Sequence, residues 1–210
     1  MATSSTRLVL ICGLPASGKS TLARQLAPEI PAIRLDKDGW ATQLGADVWD
    51  DEFRVRLEHQ LWTLTRDLLA RGQSVILEWG HWARIERDEK RLEARALGVG
   101  VELHYLDAPL EELIERAERR NTSGEWTASP MTRAHFEEWA TIIQPPDEEE
   151  ILLFDEPVPS SWQSLFQLHD IPHQFHAVAV EQTPEFPSVT AASAHQTREG
   201  KTPQGLPQSP

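Results

Sequence analysis

The segment Gly13-Leu14-Pro15-Ala16-Ser17-Gly18-Lys19-Ser20 follows directly on the apolar run Leu8–Cys12 and leads into the helix formers of Lys19–Ala27. No other stretch limits the fold as tightly. An apolar run without alternation reads as a strand buried on both faces of a parallel sheet. Glycine at 13 and 18 lets the connection wrap closely, with no Cβ in the way. The helix behind it turns free N–H groups and the positive end of its dipole back toward the turn. A strand, turn and helix in this order form a cradle for a polyphosphate, and the pattern G-x-x-x-x-G-K-[ST] is met in full. Lys19 brings a full charge to the terminal phosphates, and the Ser20 hydroxyl is the expected ligand for Mg²⁺. Gly13, Leu14, Pro15, Ala16, Ser17, Gly18, Lys19, Ser20 and Thr21 are therefore the expected nucleotide contacts.

The rest of the chain alternates in the same way. Strands are expected at Ala32–Leu35, Ser74–Trp79, Val99–Leu106 and Ile151–Phe154. Between them, Phe53, Leu57, Leu61, Leu64 and Leu68 make one apolar stripe along a helix over Glu52–Arg71, closed by Gly72. Further helices are expected at Arg84–Leu97, Pro109–Arg120 and Thr132–Ile143, and Pro28 and Pro31 should end the first helix. Strands alternating with helices imply an α/β sheet covered on both faces, with ligands at the carboxyl ends of the strands. The expected division is a domain over 1–157, an unassigned extension over 158–182 and a disordered tail over 183–210 rich in Pro, Ser, Thr and Gln.

Several side chains at those strand ends carry chemistry. Asp38, in Leu35-Asp36-Lys37-Asp38-Gly39-Trp40, is the expected base that orients an acceptor hydroxyl and takes its proton. Asp36 either contacts the acceptor or caps the turn. Glu78 interrupts an apolar strand, where an unpaired carboxylate is costly. It either holds a substrate hydroxyl or a metal-bound water, or pairs with a neighbouring arginine. Arg116, Arg119 and Arg120 end a helix, where Arg116 and Arg120 share a face and can clamp a transferring phosphoryl group. Arg84 and Arg87 can reach phosphate or acceptor but read first as part of a charged helix face, Asp147–Glu150 as a solvated turn and His81 as a bystander. Trp40 and Trp82 can stack on an acceptor, whereas Trp79 reads as core. His169, His173 and His176 lack the alignment of a metal site.

The formal net charge of −13 argues against non-specific binding to long duplex nucleic acid, though not against a local phosphate pocket. One cysteine, Cys12, forbids an internal disulfide. No apolar run reaches the length of a membrane span. These features fit a cytoplasmic protein without a membrane partner.

GLPASGKSTLA, LDKDGW, SVILEWGHWARIERD and LDAPLEELIERAERRN together resemble the AAA-type P-loop kinases, over about residues 6–156. That group is similar to the kinase domain of phage polynucleotide kinase, chloramphenicol phosphotransferase and the zeta toxins. The resemblance implies a P-loop NTPase three-layer α/β/α sandwich with five parallel strands and a helical lid. It also implies ATP at Gly13–Thr21, a base at Asp38 and lid arginines near Arg116–Arg120. In polynucleotide kinases an arginine for the acceptor-side phosphate follows the catalytic aspartate within a few residues. Here Asp38 is followed by Gly39, Trp40 and Ala41. The expected activity is transfer of the γ-phosphoryl group of Mg-ATP to a small-molecule or nucleoside-like hydroxyl. The alternatives are an ATP-dependent regulatory protein without transfer and a 5′-hydroxyl polynucleotide kinase.

Overall fold

The computed structural model describes residues 6–123 and 130–155. The extension 158–182, the tail 183–210 and the three histidines at 169, 173 and 176 lie outside them. Four parallel strands, β1 (Arg7–Cys12), β2 (Ala32–Leu35), β3 (Ser74–Gly80) and β4 (Gly100–Tyr105), lie in the order β2-β3-β1-β4. The described helices are α1 (Lys19–Glu29), α2 (Lys37–Gln43), α3 (Asp51–Ala70), α4 (Arg84–Ala96), α5 (Leu110–Ser123), α6 (Arg133–Ile142) and α7 (Glu148–Ile151). Among the described residues no helix is long and apolar enough to cross a membrane.

The period of two in a strand explains how β1 serves both faces. Leu8 and Leu10 join Leu35, Leu69, Val75, Leu77 and Val101 on one side of the sheet. Val9 and Ile11 meet Leu22, Ala23, Leu26 and Ile76 on the other. On α3 the buried line is Leu57, Leu61, Thr65 and Leu69, an unbroken i, i+4 row, so Leu64 of the expected stripe faces outward at 37% exposure. Asp50 caps this helix by accepting from the Phe53 N–H at 3.0 Å. The first helix runs through Pro28 to Glu29. In the last turn a missing N–H costs one hydrogen bond without breaking the helix.

Two expectations are corrected. The described sheet has four strands where five were expected, because Ile151–Phe154 belongs to α7 and its closing turn. Asp147 caps α7 by accepting from the Glu150 N–H at 2.7 Å, and this draws the segment into a helix. Asp155 then bonds both the N–H and the carbonyl of Val101 on β4. The second correction concerns Asp147–Glu150, which is no solvated turn, since Glu150 is 1% exposed and paired with a fully buried Arg87.

Candidate active site

The carboxyl ends of the strands converge on one cleft of about 1530 Å³. Its rim is built from the β1–α1 turn, the start of α2, the end of β3 and the arginine-bearing end of α5. Seven basic and six acidic side chains line it, in a chain whose formal net charge is −13. The cleft is thus far less acidic than the chain that carries it, and an anion entering it is not turned away.

The β1–α1 turn has the conformation its glycines permit. Gly13 has φ +147°, and a Cβ there would stand 2.8 Å from the Leu106 carbonyl oxygen. Gly18 has φ +101° and serves as the N-cap of α1 without any side-chain cap, and no acidic residue follows in the first turn. The positive end of α1 is therefore left open to the cleft. Lys19 folds its ammonium back onto the turn, donating to the carbonyls of Leu14 at 2.7 Å and Gly13 at 3.1 Å. Burial pushes this ammonium down to about 8, against the attraction of Asp38. The hydroxyl of Ser17 is buried with no hydrogen-bond partner.

The segment Trp79–Trp82 braces this turn. The Gly13 N–H donates to Gly80 at 3.1 Å, and Trp82 Nε1 donates to the Gly13 carbonyl at 3.2 Å. Trp79 instead packs in the core and ties the end of β2 through Nε1 to the Leu35 carbonyl at 2.8 Å. His81 is buried, and burial holds its imidazole well below the usual value, so it stays neutral. Arg87 lies beneath the brace and donates to the carbonyls of His81 and Trp82.

The two aspartates after β2 separate into different tasks, because the segment is helical rather than a loose turn. Asp36 is the N-cap of α2, accepting from the Gly39 N–H at 3.0 Å. Asp38 sits in the first turn, exposed and lining the cleft. Its carboxylate makes no hydrogen bond or ion pair among the described residues. Glu78 also borders the cleft but is taken by Arg34, whose guanidinium lies 2.5 Å from Oε1. Its Oε2 remains buried without a hydrogen bond. Arg116, Arg119 and Arg120 all line the cleft. Arg116 pairs with Glu112 and reaches the Ala16 carbonyl at 3.4 Å, so it touches the phosphate turn itself. Trp40 is 41% exposed and does not line the cleft, whereas Trp82 does.

Sequence reasoning missed Lys37, Trp49, Arg54, Glu58, His135 and Trp139, all of which line the cleft. Glu58 accepts from Lys37 at 2.7 Å and from Lys90 at 3.4 Å, although both ammonium groups are largely buried. Burial raises the Glu58 carboxyl, but the two lysines outweigh it and hold it below its usual value. This clamp, together with the Trp79 bond to Leu35, fixes the start of α2 and hence the place of Asp38. Glu58→Gln should cost about 1–2 kcal/mol of stability at neutral pH. The lowered pKa means that the carboxylate's contribution is present above the unfolded value and lost as pH falls through the folded one. Urea unfolding of the variant and the wild type should therefore differ at pH 7 and converge in acid. Equal stability at pH 7 would show the clamp to be idle.

Residues 8–146 match the AAA domain family. A shikimate kinase of Haemophilus influenzae is 28% identical over 152 residues, covering 68% of this chain and 79% of that protein. Among solved structures, Chaetomium thermophilum Kti12 in complex with ADP-AlF3 is 21% identical at a TM-score of 0.53, covering 68% of this chain and 82% of that one. A chain of the Pnkp1/Rnl/Hen1 RNA repair complex is 17% identical at a TM-score of 0.56, covering 80% of this chain and 47% of that one. These structural likenesses extend to the fold.

Proposed function

The chain belongs to the AAA domain family through residues 8–146, and from that premise we propose that it is a kinase moving the γ-phosphoryl group of ATP to a small hydroxyl acceptor. One observation carries the reading. An uncapped helix end, the Lys19 ammonium and Asp38, whose carboxylate has no hydrogen bond or ion pair among the described residues, border the same cleft. The open end of α1 and the unsatisfied Ser17 hydroxyl suit phosphate oxygens. Lys19 is held by two carbonyls that give it no countercharge, and a triphosphate supplies one. Ser20 would hold Mg²⁺, which neutralises phosphate charge when bound. In transfer, the bond between the γ-phosphorus and the β–γ bridging oxygen breaks while the acceptor oxygen forms a new bond to phosphorus. ADP leaves with that bridging oxygen, and Asp38 takes the acceptor proton. Arg116 and Arg120, from the end of α5 on the same cleft, stabilise the charge spread over the phosphoryl oxygens.

The relationship to a shikimate kinase favours a small-molecule acceptor. Lys19→Ala should weaken ATP binding about 10- to 100-fold, the scale of lost hydrogen bonds to a charged group. Calorimetry on the folded full chain reads this directly, and unaltered affinity would remove Lys19 from the site. Labelled ATP incubated with shikimate, a metabolite mixture and a 5′-hydroxyl oligonucleotide separates the acceptor classes. ATP binding without transfer to anything would favour a regulatory role, and label on the oligonucleotide alone would favour a polynucleotide kinase.

A further inference from the structure

Four aromatic rings meet along one side of the cleft, and apart from the Trp82 bond to Gly13 neither the phosphate turn nor the proposed base uses them. Trp49 comes from the α2–α3 connection, Trp82 from the β3–α4 connection, and His135 and Trp139 from α6. Trp49 and Trp139 lie near-parallel, with centroids 6.0 Å apart at 17°. His135 stacks on Trp139 at 5.5 Å and tilts against Trp49 at 4.9 Å, and Trp82 approaches Trp139 at 5.9 Å. Phe136, fully buried, meets Trp139 edge-on at 5.2 Å and backs the group from the core. Trp49, Trp82 and Trp139 pack on one side against the buried core around Leu14, Leu113 and Phe136. All four rings are half-buried and line the cavity that also holds Lys19 and Asp38.

We propose that the acceptor is a hydroxyl compound carrying a flat aromatic or heteroaromatic ring, which stacks on the wall of Trp49, Trp82, His135 and Trp139 while its hydroxyl is turned to Asp38. This deepens the kinase reading and rests on it. The argument is one of complementary surface. Indole faces offer wide apolar area and a negative quadrupole, which suit an offset-stacked ring. An open-chain polyol needs many hydrogen-bonding partners, and this wall offers few. Stacking on aromatic side chains tolerates many ring types, so the wall selects for a ring before it selects its identity.

The test uses the full chain with Mg²⁺ and a non-hydrolysable ATP analogue, titrated by calorimetry with thymidine, 2-phenylethanol and sorbitol. Thymidine and 2-phenylethanol separate a nucleoside from a plain aromatic alcohol, and sorbitol is the ring-free control. At least one ring compound should bind about tenfold or more tighter than sorbitol. Trp139→Ala should weaken that compound roughly 5- to 150-fold, the scale of one lost stacking partner. Trp139→Phe should keep most of the affinity, and the ATP analogue should bind all forms alike. If Trp139→Ala fails to fold, Trp49→Ala, in a connection outside the helices, gives the same readout. Sorbitol binding as tightly as both ring compounds would overturn the proposal. So would ring binding untouched by loss of either tryptophan, or no ring binding by protein that holds the analogue. Failure to bind the analogue at all is a distinct result, which removes the kinase reading and this inference with it.

Discussion

Asp38→Asn is expected to lower phosphoryl transfer by about 10²- to 10⁴-fold, the usual contribution of a positioned general base. Asparagine keeps the size of the side chain and its place in the first turn of α2 but cannot take a proton. The fold should barely register the change, because the carboxylate of Asp38 is exposed and the capping task belongs to its neighbour. ATP affinity should hold or tighten slightly, since one negative charge leaves a cleft built to receive several more. Asp36→Asn is the matched control. Asparagine caps a helix as well as aspartate does, so the bond to the Gly39 N–H survives and turnover should stay near wild type. Transfer from labelled ATP, with calorimetric affinity measured on the same preparations, separates the two. Wild-type turnover in Asp38→Asn, or a collapse confined to Asp36→Asn, would reassign the base.

The conformation of the β1–α1 turn was legible in the sequence because it is set locally. Eight consecutive residues must supply glycine conformations, a lysine and a hydroxyl in fixed order, and no distant residue can stand in for them. The strands were legible for a similar reason, since a run buried on both faces cannot hide its composition. The fifth strand failed because Ile151–Phe154 is short and apolar, a pattern shared by strands and buried helix ends, and the cap at Asp147 decided between them. Asp38 was read as the base, while for Asp36 an acceptor contact and a turn cap both stood open. They differ because Asp36 lies one residue before α2 and Asp38 inside it, and the helix itself went unseen behind Gly39 and two charged residues.

The acceptor side was much less legible. Trp49, Glu58 and Trp139 are separated by many residues and meet only when α3 and α6 are both packed. No spacing rule links them. Glu78 shows the same limit in reverse. Its place in an apolar strand announced a partner, but whether that partner was a substrate or Arg34 depended on β2 lying beside β3. A signal did exist for α4, though it was misread. Its apolar residues Ile85 and Leu92 face outward at 64% and 58% exposure, while Arg87, Lys90 and Ala94 turn inward. A helix packed on a sheet must bury one face. Arg87, Lys90 and Ala94, spaced by three and four along α4, form that face.

Arg87→Met should cost about 3–5 kcal/mol, because it strands a carboxylate inside the protein. Arg87 and Glu150 are both essentially shut from water, and their fork geometry is bidentate, with Nε–Oε1 at 2.5 Å and a second bond at 2.7 Å. Methionine fills much of the volume but leaves Glu150 charged and alone. It also takes one of two donors from each of the His81 and Trp82 carbonyls, which keep the Cys12 thiol and the Gln144 N–H. Those carbonyls belong to the segment that braces Gly13, so nucleotide binding should weaken along with the fold. At about 2–4 °C per kcal/mol for a chain of this size, the melting temperature should fall by roughly 6–20 °C. The double variant Arg87→Met with Glu150→Met tells the two costs apart. Removing both charges relieves the stranded carboxylate, so most of the loss should return. What persists measures the two lost hydrogen bonds, a small remainder because each carbonyl keeps its second donor. A single variant that melts within a degree of wild type would mean that this buried pair does not hold α4, α7 and the end of β3 together.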